Sequence, residues 1–212
     1  MKYISIILLI TVFSSCVPNV SLISTIKHKN YIYNLNKQIK HLKADTLEAQ
    51  KAFLLINYLR SNPNKIKEIT SISLPNYKGK NKLIWNSTLQ KVAEQKAKDM
   101  ANKNYFSHVN KEGYGLNLLI HMEGYTLPYQ YIKRKKNNYV ESIGAGYESG
   151  RSLVIGLIQD FGEPTLGHRK HLLGMQGYEE NVNIGIGFVR ILNSQSNYLT
   201  YCCVIIAPPL SK

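Results

Sequence analysis

A chain of 212 residues with 44% hydrophobic positions has material for one domain with a complete core, and its 3 cysteines are too few for a disulfide framework. The 27 Lys and Arg against 13 Asp and Glu leave a formal charge of +14, which favours anionic partners such as lipid headgroups or acidic envelope polymers. No nucleic-acid motif accompanies that charge, and no nucleic-acid partner is expected.

The first residues read as an address. Lys2 gives a basic start, residues 4–13 an apolar run shorter than the ~20 residues a bilayer takes, and Ser14-Ser15-Cys16 follow. The small pair before Cys16 resembles the lipobox of bacterial lipoproteins, where the cysteine becomes the lipidated first residue; Phe13 stands where Leu is commoner. The expected division is a signal peptide over residues 1–15, a tether over 16–45 and a domain over 46–212, held at the cell envelope and its membrane through lipidated Cys16. An ordinary secretory signal, which would release the protein, is the alternative. Cys202 and Cys203 remain; strand neighbours point to opposite faces, so a bond between them would be strained.

Residues 17–44 are polar, with weak helical spacing at Ile32, Leu35, Ile39 and Leu42, and read as tether. Asp45 and Glu48 have capping-box spacing ahead of Ala52, Leu55, Ile56 and Leu59, which predicts a helix over residues 46–60 stopped near Pro63. Residues 61–82, broken by Pro75 and Gly79, read mostly as loop. Ser87 and Gln90 repeat the capping-box spacing, and Leu89, Val92, Ala93, Ala97, Met100 and Ala101 predict an alanine-rich helix that ends near Asn104 and packs closely. His108 comes just after it. A short helix near residues 116–122 and the basic loop Lys133-Arg134-Lys135-Lys136 follow.

Glu141 opens a short strand ending near Gly146. Ser149 or Ser152 caps a helix that reaches Phe161 and stops at Gly162. Residues 167–174 form one or two helical turns that present His168, with Leu172 and Leu173 inward. Val182, Ile184, Ile186 and Phe188 alternate, residues 198–207 are β-branched and aromatic, and residues 193–197 make a hairpin loop between two strands. Pro208-Pro209 ends the sheet. Helices first and strands last predict an α+β fold with a mostly antiparallel sheet and a C-terminal β-hairpin.

His108, Glu141 and His168 stand out chemically. Two imidazoles can offer neutral nitrogens to a divalent cation while carboxylates accept the other N–H and fix the tautomer, which suits an exchangeable zinc with open positions. The same groups can activate water by general-base action, though no Gly-x-Ser-x-Gly elbow or His-Glu-x-x-His helix accompanies them. They can also simply satisfy one another as buried polar groups do. His171 reads as a surface or capping residue, and His28, His41 and His121 as incidental.

The ordered strings Leu83-Ile84-Trp85-Asn86, Phe106-Ser107-His108, Gly124-Tyr125, Glu141-Ser142-Ile143, Gly167-His168-Arg169 and Asn183-Ile184-Gly185-Ile186-Gly187 resemble the CAP superfamily. That superfamily joins cysteine-rich secretory, antigen 5 and pathogenesis-related proteins, and this chain looks like its bacterial SCP-like branch over about residues 46–207. The resemblance implies a three-layer α-β-α sandwich and a cleft lined by two histidines and two acids. His108, Glu141 and His168 match three of these; Asp160 stands near the usual Glu, with Glu163 a second candidate, and Ser142 replaces the usual Asn. The implied function is a non-enzymatic cleft, His108, Glu141, Asp160 and His168, that binds a lipid or an envelope glycan or peptide; the chemistry of His108 and His168 leaves room there for a divalent metal such as zinc, with or without which the cleft binds. The alternative is a metal-assisted or general-base hydrolase of peptide or envelope substrate. A third reading is an interaction module built on residues 133–136.

Overall fold

The computed structural model describes residues 41–192 and 196–210. In chain order the elements are β1 (Leu42–Ala44), α1 (Thr46–Ser61), a 3₁₀ turn (Pro63–Lys65), α2 (Ile66–Thr70), β2 (Ile84–Trp85), α3 (Ser87–Asn102), α4 (Leu116–Met122), α5 (Tyr129–Ile132), β3 (Glu141–Ala145), α6 (Gly150–Gln159), α7 (Gly167–Leu173), β4 (Asn183–Ile191) and β5 (Thr200–Ala207). The sheet runs β1-β4-β5-β3, antiparallel throughout, and β2 adds in parallel at the other end of the β4 edge that β1 occupies. Helices cover both faces, so the expected α-β-α sandwich with its terminal β4–β5 hairpin is present. Among the described residues, no helix is long and apolar enough to cross a membrane.

The alternation Ile184-Gly185-Ile186-Gly187-Phe188 builds the layers. Ile184, Ile186 and Phe188, with Cys202, Val204 and Ile206, bury one face against Ala52, Ile56 and Leu59 of α1 and Leu153, Leu157 and Ile158 of α6. The opposite face meets α3 through Leu89, Val92, Ala93, Ala97 and Met100. There the glycines are obligatory: a Cβ at Gly185 would fall 2.1 Å from the Gln90 nitrogen, and one at Gly187 2.4 Å from the Ala93 carbonyl carbon. The backbone of α3 thus lies directly on the sheet. Cys202 and Cys203 are free, buried and on opposite faces, as strand neighbours must be.

Both long helices start from β4. The Asp45 N–H donates to Phe188 O at 2.8 Å and the Asn86 N–H to Ile184 O at 2.8 Å, so each N-cap residue is pinned to the central strand. This changes the caps expected from spacing. Asp45 caps α1 by accepting from Glu48 N, but Glu48 need not reach back, because the Asp45 N–H is already taken. Its carboxylate crosses instead to the Gly150 N–H at 2.7 Å and joins α1 to the start of α6. At α3 the cap is Asn86, which accepts from Leu89 N at 3.0 Å, not Ser87, and Gln90 turns to Glu94.

Other boundaries move as well. The sheet reaches into the segment read as tether, since Leu42–Ala44 pair with Val189 to Ile191. The stretch read as loop after α1 holds the 3₁₀ turn and α2, too short for periodicity to reveal. Ser149 and Ser152 form a complete reciprocal cap on α6, but that helix ends at Gln159, because Asp160 turns left-handed with φ 53°. The hairpin loop expected over 193–197 lies partly outside the described residues, as do Cys16 and the remaining N-terminal readings.

Candidate functional site

Two histidine-carboxylate pairs form at the β3 edge of the sheet. The first begins at α3. Buried Lys96 donates to the carbonyls of Ser107 at 2.7 Å and His108 at 3.0 Å, which folds the segment after the helix back along it. Tyr105 donates its hydroxyl to Asp99 and packs under the same turn; burial first, then Asp99, pushes its phenol pKa far up. So held, His108 places Nδ1 2.7 Å from Glu141 Oε2, the histidine side chain 42% exposed and the carboxylate fully covered. The other Glu141 oxygen accepts from the Cys203 thiol at 3.5 Å, and burial keeps that thiol protonated by raising its pKa.

The second pair depends on the turn between α6 and α7. Asp160 and Leu166 both take left-handed conformations, with φ of 53° and 54°. For a bulky leucine that conformation costs roughly 1–2 kcal/mol. The turn brings Asp160 Oδ1 2.7 Å from His168 Nδ1, with the aspartate side chain 3% exposed and the histidine 26%. Asp160 Oδ2 also accepts the Arg169 N–H, while the Arg169 guanidinium donates to the Ile158 and Gln159 carbonyls and closes the end of α6. The short aspartate side chain therefore still reaches the ring.

Both pairs have the same chemistry. A carboxylate on Nδ1 holds the proton there and leaves Nε2 as the acceptor. A pocket of about 280 Å³ lies beside them, with Phe106, Gly144, Tyr147, Phe161, His168 and Tyr198 in its wall. His108 and Glu141 do not line it themselves; they stand two residues along the chain from Phe106 and Ile143, which do. Glu163 lies at the rim: Thr165 donates to it from its hydroxyl and its N–H and holds its carboxyl below the usual range. His168 and Asp160 line this cleft directly, and the His108–Glu141 pair adjoins it in the chain. A hollow of about 460 Å³ at residues 73–80 and 174–179 is larger but holds no histidine.

Sequence reasoning misplaced His171. It is buried, accepts from Ser142 Oγ at Nδ1 over 2.8 Å and donates from Nε2 to Ile206 O at 3.2 Å. Burial lowers its pKa to about 4, so the ring is neutral. Ser142 at the usual Asn position therefore does structural work, locking α7 onto β3. The roles of Lys96, Cys203 and the aromatic rim had no local sequence signal, since each depends on segments distant in the chain.

For a metal, the donors left are the two Nε2 atoms, because both carboxylates are engaged with Nδ1. Among the described residues, no group of three or more His, Cys, Asp or Glu is placed to hold an ion, and catalytic zinc takes three protein ligands.

A family model described as CAP, cysteine-rich secretory protein family, matches residues 53–205. No curated protein matches the sequence. Among solved structures, an extracellular protein containing a SCP domain from Bacillus anthracis str. Ames aligns with 77% of this chain and 41% of its own, at 23% identity and a TM-score of 0.47. This chain spans less than half the length of that protein.

Proposed function

Because the chain belongs to the CAP, cysteine-rich secretory protein family, we propose that its cleft hydrolyses a peptide or cell-envelope substrate by general-base action. The observation that carries this is the pair of 2.7 Å contacts from His108 and His168 Nδ1 to covered carboxylates, each leaving Nε2 as the acceptor nitrogen. The Nε2 lone pair takes a proton from water as the water oxygen bonds to the substrate carbonyl carbon. The carboxylate on Nδ1 steadies the imidazolium. The proton then passes to the leaving group as its bond to carbon breaks. General-base catalysis of this type supplies roughly 10²–10⁴-fold. Asp160 and Ser142, in place of the usual residues, leave the four-residue geometry open in the sequence, where binding is the main reading and hydrolysis the alternative; the two closed pairs support hydrolysis.

Binding without turnover is the second reading, favoured by the exposed aromatic rim of Phe106, Phe161 and Tyr198, which suits a lipid or an apolar group on an envelope glycan. A divalent ion such as zinc, if bound, would be held by His108 and His168 with water and would polarise a carbonyl. We also propose that residues 1–15 are a lipoprotein signal and that Cys16 carries the lipid anchoring the domain outside the cytoplasm, with secretion the alternative.

The test incubates the purified chain with a peptide library and with isolated cell-envelope material, measures released fragments by mass spectrometry, and assays zinc content. The proposal predicts cleavage that His108→Ala reduces at least a hundredfold, the scale of a lost general base. Ligand retention with no cleavage by the wild type would replace it with the binding reading.

A further inference from the structure

β3 is the edge of the sheet, and its register shows which backbone groups have no strand partner. It pairs antiparallel with β5, Glu141 opposite Ile205 through Ala145 opposite Tyr201. The flanking bonds, Gly146 N to Thr200 O and Ile206 N to Val140 O, both at 3.0 Å, fix the phase of the ladder. Antiparallel pairs alternate between bonded and non-bonded, so residues 140, 142, 144 and 146 face β5 and Glu141, Ile143 and Ala145 turn their N–H and C=O groups outward. No described hydrogen bond uses those outward groups.

Such an edge is normally blunted by a charge, a proline or a covering segment. Here Ile143, buried at 5% exposure, and half-buried Ala145 line the 280 Å³ pocket together with Gly144, Phe161, Gly162 and His168. A row of unpaired donors and acceptors at peptide spacing is chemically complementary to another peptide backbone. A glycan or acyl chain has no matching alternation of N–H and C=O.

We propose that the cleft takes an extended peptide, which adds as a strand to β3 through Ile143 and Ala145. This rests on the hydrolytic reading for what happens next, and specifies its substrate. The added strand runs along the edge whose first residue, Glu141, holds His108, in a pocket that His168 also lines. Alternate side chains of the strand point to opposite sides. One set meets Phe106 and Tyr198, whose rings are 6.2 Å apart, so apolar residues belong at those positions.

The probe is a nine-residue peptide alternating Thr with Val or Phe and carrying Glu at both ends, tested against the full chain. Amide hydrogen exchange is read residue by residue, and peptide cleavage is followed in the same samples. The expected result is exchange at Ile143 and Ala145 slowed at least tenfold, and loss of that effect with a peptide N-methylated on the pairing edge. Ala145→Pro removes one outward N–H without touching the β5 ladder, so it weakens binding of the parent peptide about tenfold or more. Equal binding of the N-methylated peptide, protection elsewhere, or a doubled mass with β3 protected before peptide is added would overturn the proposal. Pairing without cleavage overturns the hydrolytic reading and leaves this one standing; cleavage without protection at residues 143 and 145 does the reverse.

Discussion

His168 and His171 sit three residues apart on α7 and differ in everything that matters chemically. His168 is partly exposed over Asp160, while His171 is sealed between Ser142 and the Ile206 carbonyl. Its folded pKa of about 4 is below the ordinary 6.5. Above pH 6.5 both folded and unfolded chains leave it neutral, and its contribution is intact. As pH falls below 6.5 the unfolded chain takes the proton first, so stability declines until about pH 4 and levels off there. The full window is worth about 3 kcal/mol. Urea unfolding at a series of pH values checks this: His171→Gln should flatten the slope between pH 6.5 and 4, and an unchanged slope would mean another group titrates. From sequence, His168 was legible because its Gly-His-Arg string is distinctive. His171 was not, because a seven-residue helix flanked by Leu172 and Leu173 does not reveal how far its buried face extends.

At the scale of elements, the backbones of β4 and α3 touch at Gly185 and Gly187 with no side chain between them. Gly187→Ala should force α3 off β4 and cost about 1–3 kcal/mol or more, seen as a lower urea midpoint with an unchanged slope. A wild-type midpoint would show that α3 is free to shift. The long helices α1 and α3 were readable because their apolar residues recur at three and four. Their caps were only partly so, since Asp45 and Asn86 have N–H groups committed to β4, a long-range bond that spacing cannot register. α2 was missed because five residues are too few for a period. α6 was read too long because Gly162 looked like the natural stop, while the left-handed turn comes earlier, at Asp160, where it also aims the carboxylate at His168.

Across the whole molecule, two helical layers grip one sheet whose far edge, β3, has no further strand paired to it among the described residues, and the histidine-carboxylate pairs stand beside that edge. The ordered strings point to the individual residues, but the pairing of His108 with Glu141 and of His168 with Asp160 is a property of the sandwich. The positive charge fits an envelope setting, with Lys27, Lys29, Lys37, Lys40 and Lys43 near the proposed anchor. Cell fractionation tests that anchor: the wild type should sediment with membranes and Cys16→Ala should be released, whereas equal partition of the two would exclude lipidation at Cys16. The central claim is that the two pairs work as one hydrolytic site. Single-turnover cleavage by wild type, His108→Ala, His168→Ala and the double variant measures it most directly. The account predicts that each single variant loses most of the activity and that the double variant loses little more, as parts of one unit do. Independent, additive losses, or full activity in the double variant, would contradict it.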